Sequence, residues 1–175
     1  GCIPHKTLSY LAASPDGINT DPKSKRYGRM VEVKNIVNRE ITGIPKFEYW
    51  IQMQIQMEVC ELSKCDFLET RFIEYDSFDE FLDDGSFSIS SNSEHKGVMA
   101  LFFDNNSDPH YEYAPWGLTQ ETYDIWNDEC MEKNQDKTWL KNIYWKLDQV
   151  SVVVVLRNKL WFQSARTILD ELWQV

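Results

Sequence analysis

The chain has 175 residues, of which 42% are hydrophobic and 14% aromatic, a composition that fits one globular domain and excludes a disordered or fibrous protein. No apolar run is long enough to span a bilayer and no signal peptide is visible, so we expect an intracellular protein that is neither secreted nor inserted in a membrane. The formal net charge of −10 argues against wrapping of nucleic acid through overall basicity, although a local contact with nucleic acid remains compatible with it.

The chain begins with Gly1 rather than methionine, so we expect an upstream portion, as a deleted segment or a separate chain. The four cysteines form neither a CxxC pair nor a zinc-like group with the three histidines. We therefore expect reduced thiols rather than a zinc or iron–sulfur site.

The first predicted feature is a strand that enters a tight turn at residues 14–17, Ser-Pro-Asp-Gly. Proline fixes its own backbone angle and glycine permits a sharp reversal, so the turn presents Asp16 at a strand end. A polar loop over residues 19–28 follows and carries several cations, among them Lys23, Lys25 and Arg26. This local charge favours contact with an anion despite the acidic balance of the whole chain.

The next predicted element is a strand over residues 29–36, in which Glu32 and Lys34 alternate with two valines. We expect the valines to enter the core. Glu32 and Lys34 would then emerge together on the opposite face, about 6–7 Å apart along the strand. Pairing of this strand with the one that ends at Asp16 would bring both acids and the lysine to one spot.

Residues 46–62 predict a helix with a broad apolar surface and a polar stripe with a spacing of four residues, Glu48, Gln52 and Gln56. Such a helix is half buried, and its stripe faces either solvent or a specific group. Residues 65–75 alternate as a further strand, which completes a compact sheet–helix–sheet core.

The remainder of the chain begins with an acidic, serine-rich stretch over residues 76–94 that is typical of a surface insertion. Further elements are then expected in this order: short strands at 96–103 and 110–113, a helix from the N-cap Thr119 to about Asn134, a strand at 143–156 and an amphipathic helix at 159–175. Four consecutive valines in the last strand predict burial on both of its faces.

Asp16 and Glu32 supply the carboxylate ligands that Mg²⁺ prefers, and the carbonyl of Val33 lies beside them. A cation held there would polarise a phosphodiester and lower the pKa of a bound water. Lys34 would position or deprotonate that water and offset developing negative charge, while Gln52 would hydrogen-bond the water or a phosphate oxygen. Each signature alone is common, since a Glu-x-Lys on a strand is usually a solvated face and Ser-Pro-Asp-Gly an ordinary turn. Their order and spacing together favour a metal-dependent phosphodiesterase.

Three motifs carry a resemblance to a known family: residues 13–17, Ala-Ser-Pro-Asp-Gly; residues 31–34, Val-Glu-Val-Lys; and the helical stretch 49–59. Together with residues 64–67 they resemble the PD-(D/E)XK nucleases, specifically the lambda-exonuclease and YqaJ-type viral recombinase branch. The match covers residues 5–75. It is poor over residues 76–142, and the closing segments are again similar to those of homologues carried by large DNA viruses.

The resemblance implies an α/β (α+β) fold with a restriction-endonuclease-like core, in which a central mixed β-sheet is flanked by helices. It implies a single nuclease domain over residues 1–175, with a core at 1–75 and 143–175 and an insertion at 76–142. The core would hold the active site and the insertion would be peculiar to the lineage.

By this resemblance Asp16 and Glu32 are metal ligands, Lys34 is the catalytic lysine and Gln52 is the helix-borne active-site residue. The DNA-binding candidates are Ser14, Lys23, Lys25, Arg26, Tyr49 and Gln54. Helix geometry places Gln54 about 200° around the axis from Gln52, so it ranks below the others.

The resemblance further implies a Mg²⁺-dependent deoxyribonuclease, with Mn²⁺ as a substitute, that digests linear double-stranded DNA from 5′ to 3′ in recombination, repair or genome processing. Implied partners are double-stranded DNA, a single-strand annealing protein and further copies of the chain in a trimer, in the cytoplasm or nucleus of a host cell. Family members also carry an N-terminal helical region with a further acid and an arginine for the 5′ phosphate, and no residue here matches it. Two alternatives stay open: a structure-selective or restriction-like endonuclease, and a catalytically incomplete DNA-binding or assembly module.

Overall fold

The structure, a computed structural model, describes residues 1–174. The strands in this range are β1 (Ile3–Pro4), β2 (Ala12–Ala13), β3 (Gly17–Ile18), β4 (Met30–Asn35), β5 (Lys64–Glu74), β6 (Lys96–Phe103), β7 (Pro109–Tyr113) and β8 (Thr138–Leu156). The helices are α1 (Phe47–Val59), α2 (Phe78–Asp83), α3 (Gln120–Lys133) and α4 (Lys159–Trp173).

The six strands from β3 to β8 form a mixed sheet, while β1 and β2 form a separate antiparallel pair. Strand β3 pairs antiparallel with β4, β4 runs parallel to β5, and β6 is antiparallel to both β7 and β8. This confirms the predicted α/β (α+β) fold class, a mixed sheet flanked by helices, and it is consistent with a nuclease-like core. None of the helices in residues 1–174 combines the length and apolar character that a bilayer crossing requires.

The chain divides into two compact units. Unit 1 comprises Gly1–Thr70 and Val150–Val175, and unit 2 comprises Arg71–Gln149. Unit 1 holds 12 basic and 11 acidic side chains, whereas unit 2 holds six basic and 17 acidic ones, so their net charges are +1 and −11. The acidic balance of the chain therefore belongs to unit 2. The single-domain prediction, with its core and insertion, stays a prediction.

In unit 1 the strand order is β3-β4-β5-β8. Helix α1 packs on one face of this sheet through a core of fully buried side chains, Met30, Met53, Met57, Cys65 and Phe67. A second cluster joins the other side of α1 to α4 and to the N-terminal segment; its buried members are Leu8, Leu11, Ala13, Val59 and Phe162. Helix α1 is thus packed on two sides, which holds its polar stripe in a defined orientation.

In unit 2 the strand order is β5-β8-β6-β7, and α2 and α3 supply an aromatic core. Phe81 of α2 is fully buried and contacts the rings of Tyr75, Phe87 and Tyr144. Residues 76–94, predicted as an acidic surface insertion, thus contain a short helix whose Phe81 is buried, and the prediction of an insertion stays a prediction. Helix α3 confirms its prediction, since Thr119 is the N-cap and Asn134 the C-cap.

Two predictions about valines were also wrong. On β4 the helix covers the face of Met30 and Glu32, whereas Val33 is 41% exposed. The side chains of β4 alternate between two faces as predicted, but the buried face is the one that carries the carboxylate of Glu32. On β8 the predicted burial of both faces fails, because Val152 and Val154 are about half exposed while Val155 is buried.

Candidate active site

Strand β4 places Glu32 and Lys34 on the face that α1 covers. Glu32 is only 1% exposed, and its carboxylate is satisfied by three side-chain donors. Oε1 accepts from Lys34 Nζ at 2.6 Å and from Gln52 Nε2 at 2.7 Å, while Oε2 accepts from Gln56 Nε2 at 2.8 Å. Charge-assisted hydrogen bonds of this kind explain how a carboxylate is tolerated in the core.

The prediction that a strand ends at Asp16 was wrong, because β2 ends at Ala13 and Asp16 immediately precedes β3. Gly17, the first residue of β3, pairs with Val31 of the antiparallel strand β4. Asp16, one residue earlier, therefore lies beside the residues of β4 that follow Val31. Its Oδ2 accepts from the backbone N–H of Val33 at 2.7 Å. In an extended strand the N–H and C=O of one residue face the same neighbour, so the Val33 carbonyl faces the same edge as Asp16.

Gln56 is the site residue that sequence reasoning did not select. It lies one helical turn beyond Gln52 on the same stripe, so its spacing of four residues was the signal that pointed to it. Its amide nitrogen binds Glu32 and lies 3.4 Å from the carbonyl oxygen of Ser14. Its Oε1 is buried and has no hydrogen-bond partner among residues 1–174, which leaves one free acceptor oxygen beside the carboxylate of Glu32.

The donor set at this point fits Mg²⁺. The carboxylates of Asp16 and Glu32 and the carbonyl of Val33 are hard oxygen ligands, and Mg²⁺ is commonly bound by one or two carboxylates with water completing its shell. The unpaired Oε1 of Gln56 adds a further polar atom that suits a hydrated cation. Within residues 1–174 no group of three or more His, Cys, Asp or Glu side chains that could hold a metal ion is found.

Lys34 is flanked by a second ion pair. Its register partner on β5 is Glu69, which is fully buried and forms a salt bridge with Arg39. The Tyr49 ring contacts both cations, with Lys34 Nζ 5.2 Å and Arg39 Cζ 5.6 Å from its centroid. The hydrogen bond to Glu69 raises the pKa of Arg39 above its usual value, against the opposing effect of burial. Two fixed cations therefore lie around one aromatic ring at the site.

Cys65 lies on β5 behind the site and is fully buried. Burial raises the pKa of its thiol to about 12, and the negative charge of Glu32 acts in the same direction. The thiol is therefore protonated at neutral pH and is not an activated nucleophile. The four cysteines are all free thiols.

The predicted DNA contacts are not all on one surface. Ser14, Lys23, Lys25 and Arg26 are exposed, and Tyr49 packs beside Lys34. Gln54, in contrast, is 1% exposed. Its Nε2 donates to the carbonyl of Leu156 at 3.0 Å and its Oε1 accepts from the N–H of Asn158 at 2.6 Å. Its amide therefore ties the end of β8 and the start of α4 to α1.

No protein-family model matches this sequence. The chain is 30% identical over 208 residues to an uncharacterized protein of Acanthamoeba polyphaga mimivirus, an alignment that covers 99% of this chain and 38% of the viral protein. The chain therefore spans less than half the length of that relative, whose name states no activity. The chain is similar to part of a larger protein of this virus.

Proposed function

We propose that this chain is the catalytic part of a Mg²⁺-dependent deoxyribonuclease of the PD-(D/E)XK type, an exonuclease of the viral recombinase branch. The observation that carries the proposal is the convergence on one carboxylate oxygen: Lys34 and Gln52 both donate to Oε1 of Glu32. Asp16 lies against the backbone of the residue between Glu32 and Lys34. A chance Glu-x-Lys on a solvated face would have neither the helix amide nor the second acid.

Asp16, Glu32 and the Val33 carbonyl would hold the cation. When bound, Mg²⁺ supplies polarisation of the scissile phosphate and a water of lowered pKa. Lys34, whose Nζ lies 2.6 Å from Glu32 Oε1, would orient the attacking water and offset negative charge on the phosphate. Gln52 would orient the same water or a phosphate oxygen through its amide. The surrounding methionines and Phe67 shield Glu32 from bulk water, whereas Asp16 is exposed.

Nucleic acid is the substrate class that the charge distribution favours. Unit 1, which holds all the site residues, is near neutral at +1, and the loop before β4 adds the cations Lys23, Lys25 and Arg26. The family resemblance is the basis for the finer proposals. These are a substrate of linear double-stranded DNA, cutting from 5′ to 3′, replacement of Mg²⁺ by Mn²⁺, assembly as a trimer, and an annealing protein as partner.

The test compares degradation of end-labelled linear duplex DNA by the wild-type chain and by Glu32→Ala and Lys34→Ala, with Mg²⁺, Mn²⁺ or EDTA. Each variant should lose about 10²- to 10³-fold in rate, and EDTA should abolish cutting. Glu40→Ala and Lys46→Ala, which remove exposed charges outside the site, serve as matched controls and should cut normally. Equal rates for all four variants would refute the assignment, and cutting of closed circular DNA would favour an endonuclease.

A second candidate is a nuclease-like module that binds DNA without cutting it. The observation in its favour is the burial of Glu32, whose two oxygens already hold three protein donors. In that case the ion pair with Lys34 would be purely structural. Three results for the wild-type chain together would favour this module. The chain would bind duplex DNA, it would not cut DNA with either metal, and Mg²⁺ would not raise its thermal stability.

A further inference from the structure

A basic cleft lies at the edge of unit 1 where the parallel strands β4 and β5 begin side by side. It has a volume of about 340 Å³ and is formed by the loop before β4 and the connection from α1 to β5. The side chains that define it are Lys25, Arg26, Tyr27, Arg29, Glu61 and Lys64. We call it the basic cleft.

The charge of the basic cleft is concentrated and only partly neutralised. Asp66 holds the guanidinium of Arg29 at 2.9 Å, and it lies 3.4 Å from that of the more exposed Arg26. Within residues 1–174, Lys25 and Lys64 have no carboxylate within 4.0 Å. The single acid of the cleft, Glu61, is already bound by a lysine outside it. The cleft is therefore a local concentration of positive charge in a unit whose overall charge is only +1.

An aromatic ring projects among these cations. Tyr27 is 63% exposed, although a large aromatic side chain gains by burial. Its position is set by the turn, because its N–H donates to Ser24 O at 3.0 Å and Gly28 adopts a φ of 69°, a conformation that glycine accepts freely. An exposed ring flanked by phosphate-binding cations is the arrangement with which proteins bind single-stranded nucleic acid, by stacking on a base while holding its backbone.

We propose that the basic cleft binds a single-stranded segment of nucleic acid, with phosphates on Lys25 and Lys64 and an unpaired base on Tyr27. Its relation to cleavage rests on the proposed function. Arg29 stands three residues before Glu32 on β4, about 10 Å along the strand. This distance is within the reach of a short single strand, so the cleft would hold the strand that leads to, or leaves, the candidate active site.

A single strand is favoured over an intact duplex because the bases of a duplex are already stacked on each other. A duplex would use the cations alone, and Tyr27 would contribute little. Substitution of Tyr27 should therefore weaken the binding of a single strand but not that of a duplex. Substitution of the lysines should weaken the phosphate contacts that both substrates make.

The experiment measures fluorescence anisotropy of a short labelled oligothymidylate with the full chain in EDTA, where no cutting occurs. Tyr27→Ala should weaken binding by roughly 5- to 150-fold, as loss of one stacked base does, whereas Tyr27→Phe should bind like the wild type. An abasic strand of equal length should bind wild type and Tyr27→Ala equally. Lys25→Ala/Lys64→Ala should reduce the slope of log affinity against log salt by about 1.4, since each phosphate contact on a single strand contributes about 0.7.

The matched control is Lys159→Ala/Arg166→Ala, which removes two exposed cations from α4 in the same unit. It should bind like the wild type. The proposal is overturned if Tyr27→Ala binds oligothymidylate as tightly as the wild type, if the control loses as much as the cleft variant, or if the wild type does not bind at all. Cutting by Glu32→Ala at the wild-type rate would overturn the proposed nuclease site alone, because the anisotropy results do not depend on it.

Discussion

Gln56 donates from Nε2 to Glu32 Oε2 at 2.8 Å, inside a core where neither side chain is more than 3% exposed. No other side chain in residues 1–174 donates to that carboxylate oxygen. Gln56→Leu should therefore leave a charged oxygen buried without a donor and lower the free energy of unfolding by about 1–3 kcal/mol. Urea unfolding followed by tryptophan fluorescence measures the loss.

A double-mutant cycle separates this bond from simple repacking. In a Glu32→Leu background the same Gln56→Leu change has no carboxylate to expose, so it should cost less by about 0.5–3 kcal/mol. Gln163→Leu, on the exposed face of α4, is the matched control and should change stability little. Equal losses in both backgrounds would mean that Gln56 does not support Glu32.

Gln52 and Gln54 lie two residues apart on α1 and have different roles. Gln54→Leu removes the partner of two buried backbone groups, at Leu156 and Asn158, and should lower stability by about 1–3 kcal/mol. It should leave the rate of DNA cutting unchanged at temperatures where the variant is folded. Gln52→Leu removes a donor to Glu32 from a partly exposed position, and it should reduce the rate of DNA cutting more than it reduces stability.

Both variants are measured for thermal unfolding and for degradation of labelled duplex, with the rates taken well below the melting temperature. A large loss of cutting by Gln54→Leu at temperatures where it remains folded would contradict the separation. So would a Gln52→Leu variant that cuts at the wild-type rate.

Local signals could be predicted from the sequence because they act over a few residues. The capping hydroxyl of Thr119 bonds the N–H of Thr122, so the start of α3 was found correctly. The polar stripe of α1 was also visible as a spacing of four residues. Such features depend mainly on chain neighbours, which a sequence shows directly.

The buried face of β4 could not be predicted, because alternation separates two faces without saying which of them a helix will cover. The valines have the higher preference for the core, but Val33 is exposed and Glu32 is buried. The amides of Gln52 and Gln56, 20 and 24 residues away, help to offset the cost of burying the charge. The same limit applies to β8, where identical valines on both faces give no pattern to read.

Arg39 and Glu69 form a buried ion pair beside Lys34, in which the second oxygen of Glu69 has no partner among residues 1–174. Arg39→Met should lower the free energy of unfolding by about 3–5 kcal/mol, because it leaves Glu69 charged and uncompensated in the core. The double variant Arg39→Met/Glu69→Leu replaces both charges with apolar side chains and should recover most of that loss. Chemical unfolding at neutral pH gives both values.

The control for this pair is Lys141→Met, which removes one partner of an exposed pair with Glu74. Solvent screens exposed pairs, so the change should stay within about 1 kcal/mol. A double variant at Arg39 and Glu69 that is less stable than Arg39→Met would show that the pair stabilises the fold by more than mutual compensation.

Glu112 on β7 lies 2.8 Å from Lys133 Nζ and 3.1 Å from His110 Nε2, and its Oε1 also accepts from Asn134. The hydrogen bond from Lys133, followed by that from His110, lowers the pKa of Glu112 to about 2 from an ordinary value of 4.5, although burial opposes the shift. Lys133 is 68% exposed, so solvent reduces the effect on stability to about 1 kcal/mol.

Because the folded-state pKa of Glu112 is below the unfolded one, the contribution of this carboxylate is fully present above pH 4.5 and is lost as the pH falls towards 2. The wild type should therefore melt at a higher temperature than Glu112→Gln at pH 7, and the difference should shrink between pH 4.5 and pH 2. Comparison with Glu112→Gln cancels the titration of the other acids of the unit. A difference that stays constant or grows on acidification would show that the carboxylate is not held charged by Lys133.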